Sequence, residues 1–261
     1  MTILIDDALA TAFLTMPLRE GWLEGAAGIE IRAGLAAADV TPDDIALLPL
    51  PEATLLTQTH VIDRSVAIVH GGVGMVAMRT PVRPDEIDRV PVYLREVGAS
   101  GEVLTRALLR AYFGIEATEL SRDDPPADAQ LVVSEGAAAL VPVESGFRED
   151  LARSWFILTG KAYVSHVSVV GVAALARDPD AAVARLRSVL ETGWERRRDV
   201  RLAIRETNDV DPGMLAEATG NMRFSMEPDD QEPARLLVER GTWGTTFGRT
   251  LPAYRDQLPT P

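Results

Sequence analysis

Val92 to Gly114 reads as a short apolar strand, a small-residue turn (Gly98-Ala99-Ser100-Gly101) and an amphipathic helix carrying Val103, Leu104, Ala107, Leu108 and Ala111 at helical spacing. A strand handed to a helix through a tight turn is the building unit of α/β proteins, so this stretch points to parallel or mixed sheets covered by helices. The turn also lies where unpaired N–H groups and the positive end of the helix dipole favour an anion. Gly98, Ser100 and Gly101 are therefore candidate contacts for a ligand carboxylate; the alternative is a turn that caps a helix and binds nothing.

Other segments repeat the alternation. Ile45-Ala46-Leu47-Leu48-Pro49-Leu50, Val66 to His70, Leu131 to Val133 and Val164 to Ala174 read as buried strands. Asp178-Pro179 starts a helix with Ala182, Val183, Leu186, Val189 and Leu190 on one face, and Arg201 to Glu206 and Glu232 to Arg240 read as further helices. Pro17 marks a turn at the end of Ala8 to Leu18. The 261 residues suffice for two lobes with mixed sheets. The breaker Thr80-Pro81-Val82-Arg83-Pro84 and the region of Gly171 predict the crossings, giving residues 1–80 plus 171–261 as one lobe and 81–170 as the other. Separately cored lobes of this kind close on a ligand. Ligands in open α/β sheets gather beyond the C-terminal strand ends. This places Thr15, Gly72, Gly74, Gly98, Ser100, Gly101 and Ser134 at the expected cleft.

A net charge of −13 argues against a general nucleic-acid surface, which needs a basic face. The absence of cysteine excludes disulfides, thiolate catalysis and sulfur-ligated metals. No pair of histidines has ligand spacing, so no metal is expected. Gly71-Gly72-Val73-Gly74 lacks the lysine and hydroxyl of a P-loop, and no dinucleotide fingerprint is present, so no cofactor is expected. Asp6 and Asp7 stand where a signal peptide would be positive, and the longest apolar stretch is too short for a bilayer, which predicts a cytoplasmic protein without membrane contact, monomeric or homodimeric. His70 and His166, at strand ends facing the expected cleft, are candidate proton-transfer groups or hydrogen-bonded structural histidines. Glu135 is either a pocket acid or a helix-start carboxylate.

In their order along the chain, Phe13-Leu14-Thr15-Met16-Pro17-Leu18, Val66 to Met78, Val92 to Leu109, Asp128 to Leu140, Asp150 to Tyr163 and Asn221-Met222-Arg223-Phe224 resemble the chorismate dehydratase family of the futalosine route to menaquinone. The resemblance implies a two-lobed fold like the type II periplasmic solute-binding proteins, a small carboxylated substrate between the lobes and carbon–oxygen lyase activity. Three positions depart from the family pattern. Its asparagine in the first turn is Leu14, its Val-x-Ser-Val becomes Val73-Gly74-Met75-Val76, and its Ser-x-Thr-Ser becomes Gly98-Ala99-Ser100-Gly101. His70, His166 and Glu135 are the candidates to replace the missing polar groups; the alternative is a solute-binding or sensing protein of the same fold without chemistry.

Overall fold

The computed structural model describes residues 1–23, 27–177 and 179–258. Two mixed sheets carry the architecture. The first contains β1 (Ile3–Asp6), β2 (Ile29–Arg32), β3 (Ile45–Pro49), β4 (His60–His70), β10 (Tyr163–Gly171) and β11 (Met222–Arg223), in the order β11-β4-β10-β3-β1-β2. The second contains β5 (Val76–Thr80), β6 (Arg89–Arg95), β7 (Glu116–Ser121), β8 (Val132–Glu135) and β9 (Phe147–Asp150), in the order β7-β6-β8-β5-β9. Both repeat one plan: three parallel strands, then an antiparallel strand arriving from the other lobe, then a strand antiparallel to that one. The helices are α1 (Ala12–Arg19), α2 (Leu50–Ala53), α3 (Ala99–Leu108), α4 (Leu151–Thr159), α5 (Pro179–Glu195), α6 (Arg197–Thr207), α7 (Pro212–Gly220) and α8 (Gln231–Gly241).

The exchange of strands moves the lobe boundaries. β5 already pairs with β8 and β9, so the chain crosses at 71–75, before Thr80; Pro81 and Pro84 end a strand inside the second lobe. The return lies at 160–162, because β10 belongs to the first sheet along its whole length and Gly171 is its last residue. The expected helix start at Asp178 lies outside the described residues, and α5 is described from Pro179.

Pro17 does not end the first segment in a turn; it sits inside α1. A proline there brings no N–H to the carbonyl four residues earlier, that of Phe13. The packing accommodates this: a Cβ built on Gly193 of α5 would lie 1.9 Å from the Phe13 carbonyl oxygen, so only glycine lets the two helices approach this closely. The expectation of separately cored lobes is also corrected. One buried cluster runs from Leu4, Leu48 and Val167 of the first sheet through Val103, Leu104 and Leu237 to Val76, Val92 and Val133 of the second. It is continuous because α3 packs on α8, with Gly241 against the Val103 carbonyl.

Candidate functional site

Between the lobes lies a chamber of about 400 Å3. From the first lobe Asp6, at the end of β1, Thr15 and Arg19 of α1 and His166 of β10 face it. From the second come Glu96, Gly98, Ser100 and Glu135. Apolar strands that end in polar residues explain the arrangement: Ile3, Leu4 and Ile5 are buried apolar residues, and Asp6, buried with them at the strand end, is the first polar one and lines the chamber.

Asp6 Oδ1 accepts the Leu35 N–H at 2.9 Å, and its Oδ2 lies 3.1 Å from His166 Nε2. His166 Nδ1 lies 3.0 Å from Ser165 Oγ, which lies 3.0 Å from His70 Nε2. A buried chain therefore runs Asp6–His166–Ser165–His70. An irregularity in β10 between Val164 and His166 lets two successive residues join this chain, as bulges do when they re-aim a side chain. The Ser100 hydroxyl donates to the Ser165 carbonyl and ties α3 to the same strand. Burial, reinforced by the neighbouring His166, pushes His70 down to about 3, so its ring is neutral.

The helix start expected to hold a ligand anion holds one of the protein's own. Glu135 Oε2 accepts the Gly98 N–H at 2.7 Å, and a Cβ on Gly101 would stand 2.4 Å from that oxygen. Glu135 therefore sits at the start of α3 and also lines the chamber. Burial pushes its carboxyl above the ordinary range, against the downward pull of the Gly98 N–H and the His166 ring. Glu96 reaches the chamber from a left-handed backbone at φ 56°, a conformation that costs a non-glycine residue roughly 1 kcal/mol or more.

The other expected site residues divide. Thr15, Gly98, Ser100, Glu135 and His166 line the chamber together. Gly101 stands directly behind Glu135. His70 lies deeper, in a small compartment of about 20 Å3 that Glu135, Gly136, Tyr163 and Ser165 also line. Gly72, Gly74 and Ser134 do not line the chamber. Gly72 packs beside Phe156, Gly74 donates its N–H to Asp150 and abuts Ala152, and Ser134 is buried between β5 and β6. Leu14 is fully buried in the first lobe's core, so the residue types at Leu14 and Gly74 take nothing from the chamber. Of the three departures only Gly98 faces it. Asp6 carries its own signal in the sequence, an acid closing a run of buried apolar residues.

No family model matches the chain, and no curated protein matches its sequence. Solved structures do. A ligand-binding component of an ABC-type import system from Staphylococcus aureus, with zinc bound, is 14% identical with a TM-score of 0.63, covering 99% of this chain and 96% of that one. An ABC transporter protein from Parabacteroides distasonis is 13% identical with a TM-score of 0.62, covering 100% and 98%. An Archaeoglobus fulgidus protein is 12% identical with a TM-score of 0.60, covering 91% and 95%. Together with the strand order of the two sheets, these likenesses give the chain the two-lobed, type II periplasmic-binding-protein-like fold, with the chamber at its interlobe cleft.

Proposed function

We propose that this protein takes a small carboxylated molecule into the interlobe chamber and acts on it by acid–base chemistry, as a carbon–oxygen lyase of the chorismate-dehydratase kind. The supporting observation is that two proton-handling groups, the Asp6–His166 pair and Glu135, line one chamber from opposite lobes. An elimination moves two protons, one off carbon and one onto the leaving oxygen. Glu135, favoured in its neutral form by burial, donates to the leaving oxygen. Asp6, whose carboxylate is held in place by the Leu35 N–H and His166, takes the proton from carbon. Arg19 on the chamber wall, ion-paired with Asp7, is the guanidinium a ligand carboxylate meets.

A second reading, binding without turnover, is favoured by the occupation of the α3 start by Glu135 itself. The test is purified protein with chorismate, followed by chromatography for substrate loss and the carboxyvinyloxybenzoate product, beside Glu135→Gln and Asp6→Asn. The acid–base reading expects turnover that falls about 100-fold or more in either variant. Tight binding of chorismate with no product from the unmodified protein would replace it with the second reading.

A further inference from the structure

Behind Glu135, the compartment of about 20 Å3 is walled by Leu9, Met75 and Val76 and faced by His70, Tyr163, Ser165 and Glu135. Two polar atoms there have no hydrogen-bond partner among the described residues: His70 Nδ1 and the Tyr163 hydroxyl. Both side chains are 1% exposed. They arrive on paired positions of β4 and β10, with rings stacked 5.2 Å apart between centroids. The Ser100 hydroxyl is close enough to the phenol to favour its ionised form slightly, but the pair does not meet hydrogen-bond geometry, and the Ser100 proton is committed to the Ser165 carbonyl. Leaving such groups unsatisfied costs about 1–3 kcal/mol each. A space of this size takes one water, and two to four polar partners hold it.

We propose that the compartment is a built hydration site in which one water molecule bridges His70 Nδ1 and the Tyr163 hydroxyl and reaches Glu135, joining Glu135 to the His70–Ser165–His166–Asp6 chain. The inference rests on the acid–base reading for its use and stands on the geometry for its existence. Water suits the site because it donates or accepts as the His70 tautomer requires.

The chain carries one proton between the two chamber carboxyls. Glu135 gives its proton to the water, which gives one to His70 Nδ1. His70 Nε2–H passes one to Ser165 Oγ, Ser165 passes its own to His166 Nδ1, and His166 Nε2–H passes one to Asp6. Glu135 ends as carboxylate and Asp6 as acid, the water is regenerated, and net charge is unchanged. The reverse passage restores the first state. The two carboxyls thereby share one proton through the protein interior, which keeps one an acid and the other a base.

The first experiment is a crystal structure of the unmodified protein at a resolution that shows other buried waters. The expected result is a single peak within hydrogen-bond distance of His70 Nδ1 and Tyr163 Oη; a compartment without one overturns the site. The second is the titration of Glu135 by carbon-13 NMR in the unmodified protein, Tyr163→Phe and His70→Phe. Loss of the water's donation to the carboxylate raises the Glu135 midpoint by about half a unit or more. An unchanged midpoint in every folded variant overturns the link to Glu135. If neither variant folds, the crystal structure still decides the site. Neither experiment reads turnover, so failure of the lyase reading shows separately, in the chromatographic assay.

Discussion

Gly193→Ala tests how tightly the chamber's first-lobe wall is held. The new Cβ would stand 1.9 Å from the Phe13 carbonyl oxygen and 2.8 Å from its carbon, and real Cβ contacts essentially never fall below 3.0 Å. The obstacle is helix backbone rather than a side-chain tip, so α1 and α5 must part by about 1 Å. Overpacking against backbone, which cannot rotate away, lies at the upper end of the usual range, about 2–3 kcal/mol. Alanine returns up to about 1 kcal/mol of helix propensity, leaving a net loss of about 1–2 kcal/mol. For a chain of this size that lowers the melting temperature by roughly 2–8 °C. Thermal unfolding by circular dichroism measures it, and because α1 carries Thr15 and Arg19 into the chamber, ligand affinity should fall as well. A melting temperature equal to or above that of the parent would refute the reasoning, since only the propensity gain would then be expressed.

Three further outcomes follow from the site. His70 binds a proton in the folded protein only near pH 3, whereas in the unfolded chain it does so near 6.5; the unfolded state therefore holds the extra proton between those values. Folding stability falls as pH is lowered through that window, by at most about 1.4 kcal/mol per pH unit, offset in part by Glu135 and Asp150, whose raised carboxyls favour the folded state in acid. Urea unfolding at pH 7.5 and 5 measures the slope, and a slope as steep in His70→Gln would sink the assignment. Gly101→Ala places a Cβ 2.4 Å from Glu135 Oε2 and should turn that carboxyl out toward solvent, bringing its NMR midpoint down toward the ordinary range; an unmoved midpoint would show that Glu135 is not seated there. Asp230→Ala removes a buried carboxylate that takes both Arg223 nitrogens at 2.7 and 2.9 Å and should lower stability by about 1–3 kcal/mol, with a denaturant midpoint like the parent's counting against it.

Strands buried on both faces announced themselves as apolar runs, which is why β3, the second half of β4 and β10 were legible, and with them the alternation that defines the fold class. β7 and β9 were not. They are the two edges of the second sheet, and Glu116–Ser121 and Phe147–Asp150 bury too little to leave an apolar pattern. α1 was hidden by Pro17, which brings no N–H to the Phe13 carbonyl, the same carbonyl that Gly193 of α5 packs against. α7 carries a sound start signal, Asp211 capping Met214 with Pro212 in the first turn, but weak sidedness beyond it. Small-residue turns marked Gly98 and Ser100, and both line the chamber. The same logic placed Gly72 and Gly74 there wrongly, because those glycines serve the crossing between sheets. The irregularity at Ser165 has no signature in composition, so neither the relay through that hydroxyl nor the part of Tyr163 was readable.

The exchange of central strands between the sheets has a consequence for synthesis. β3 and β4 are made within the first 70 residues, yet they have no contact with each other in the ladder until β10, residues 163–171, is inserted between them. A chain emerging from the ribosome therefore carries two unpaired apolar edges while the whole second lobe is being made. Open edges of this kind are templates for pairing with another chain, and closing them late makes the first lobe wait on the second. Fragments that stop before residue 163 are expected to aggregate rather than form a half-molecule, so the unit that folds is the entire chain.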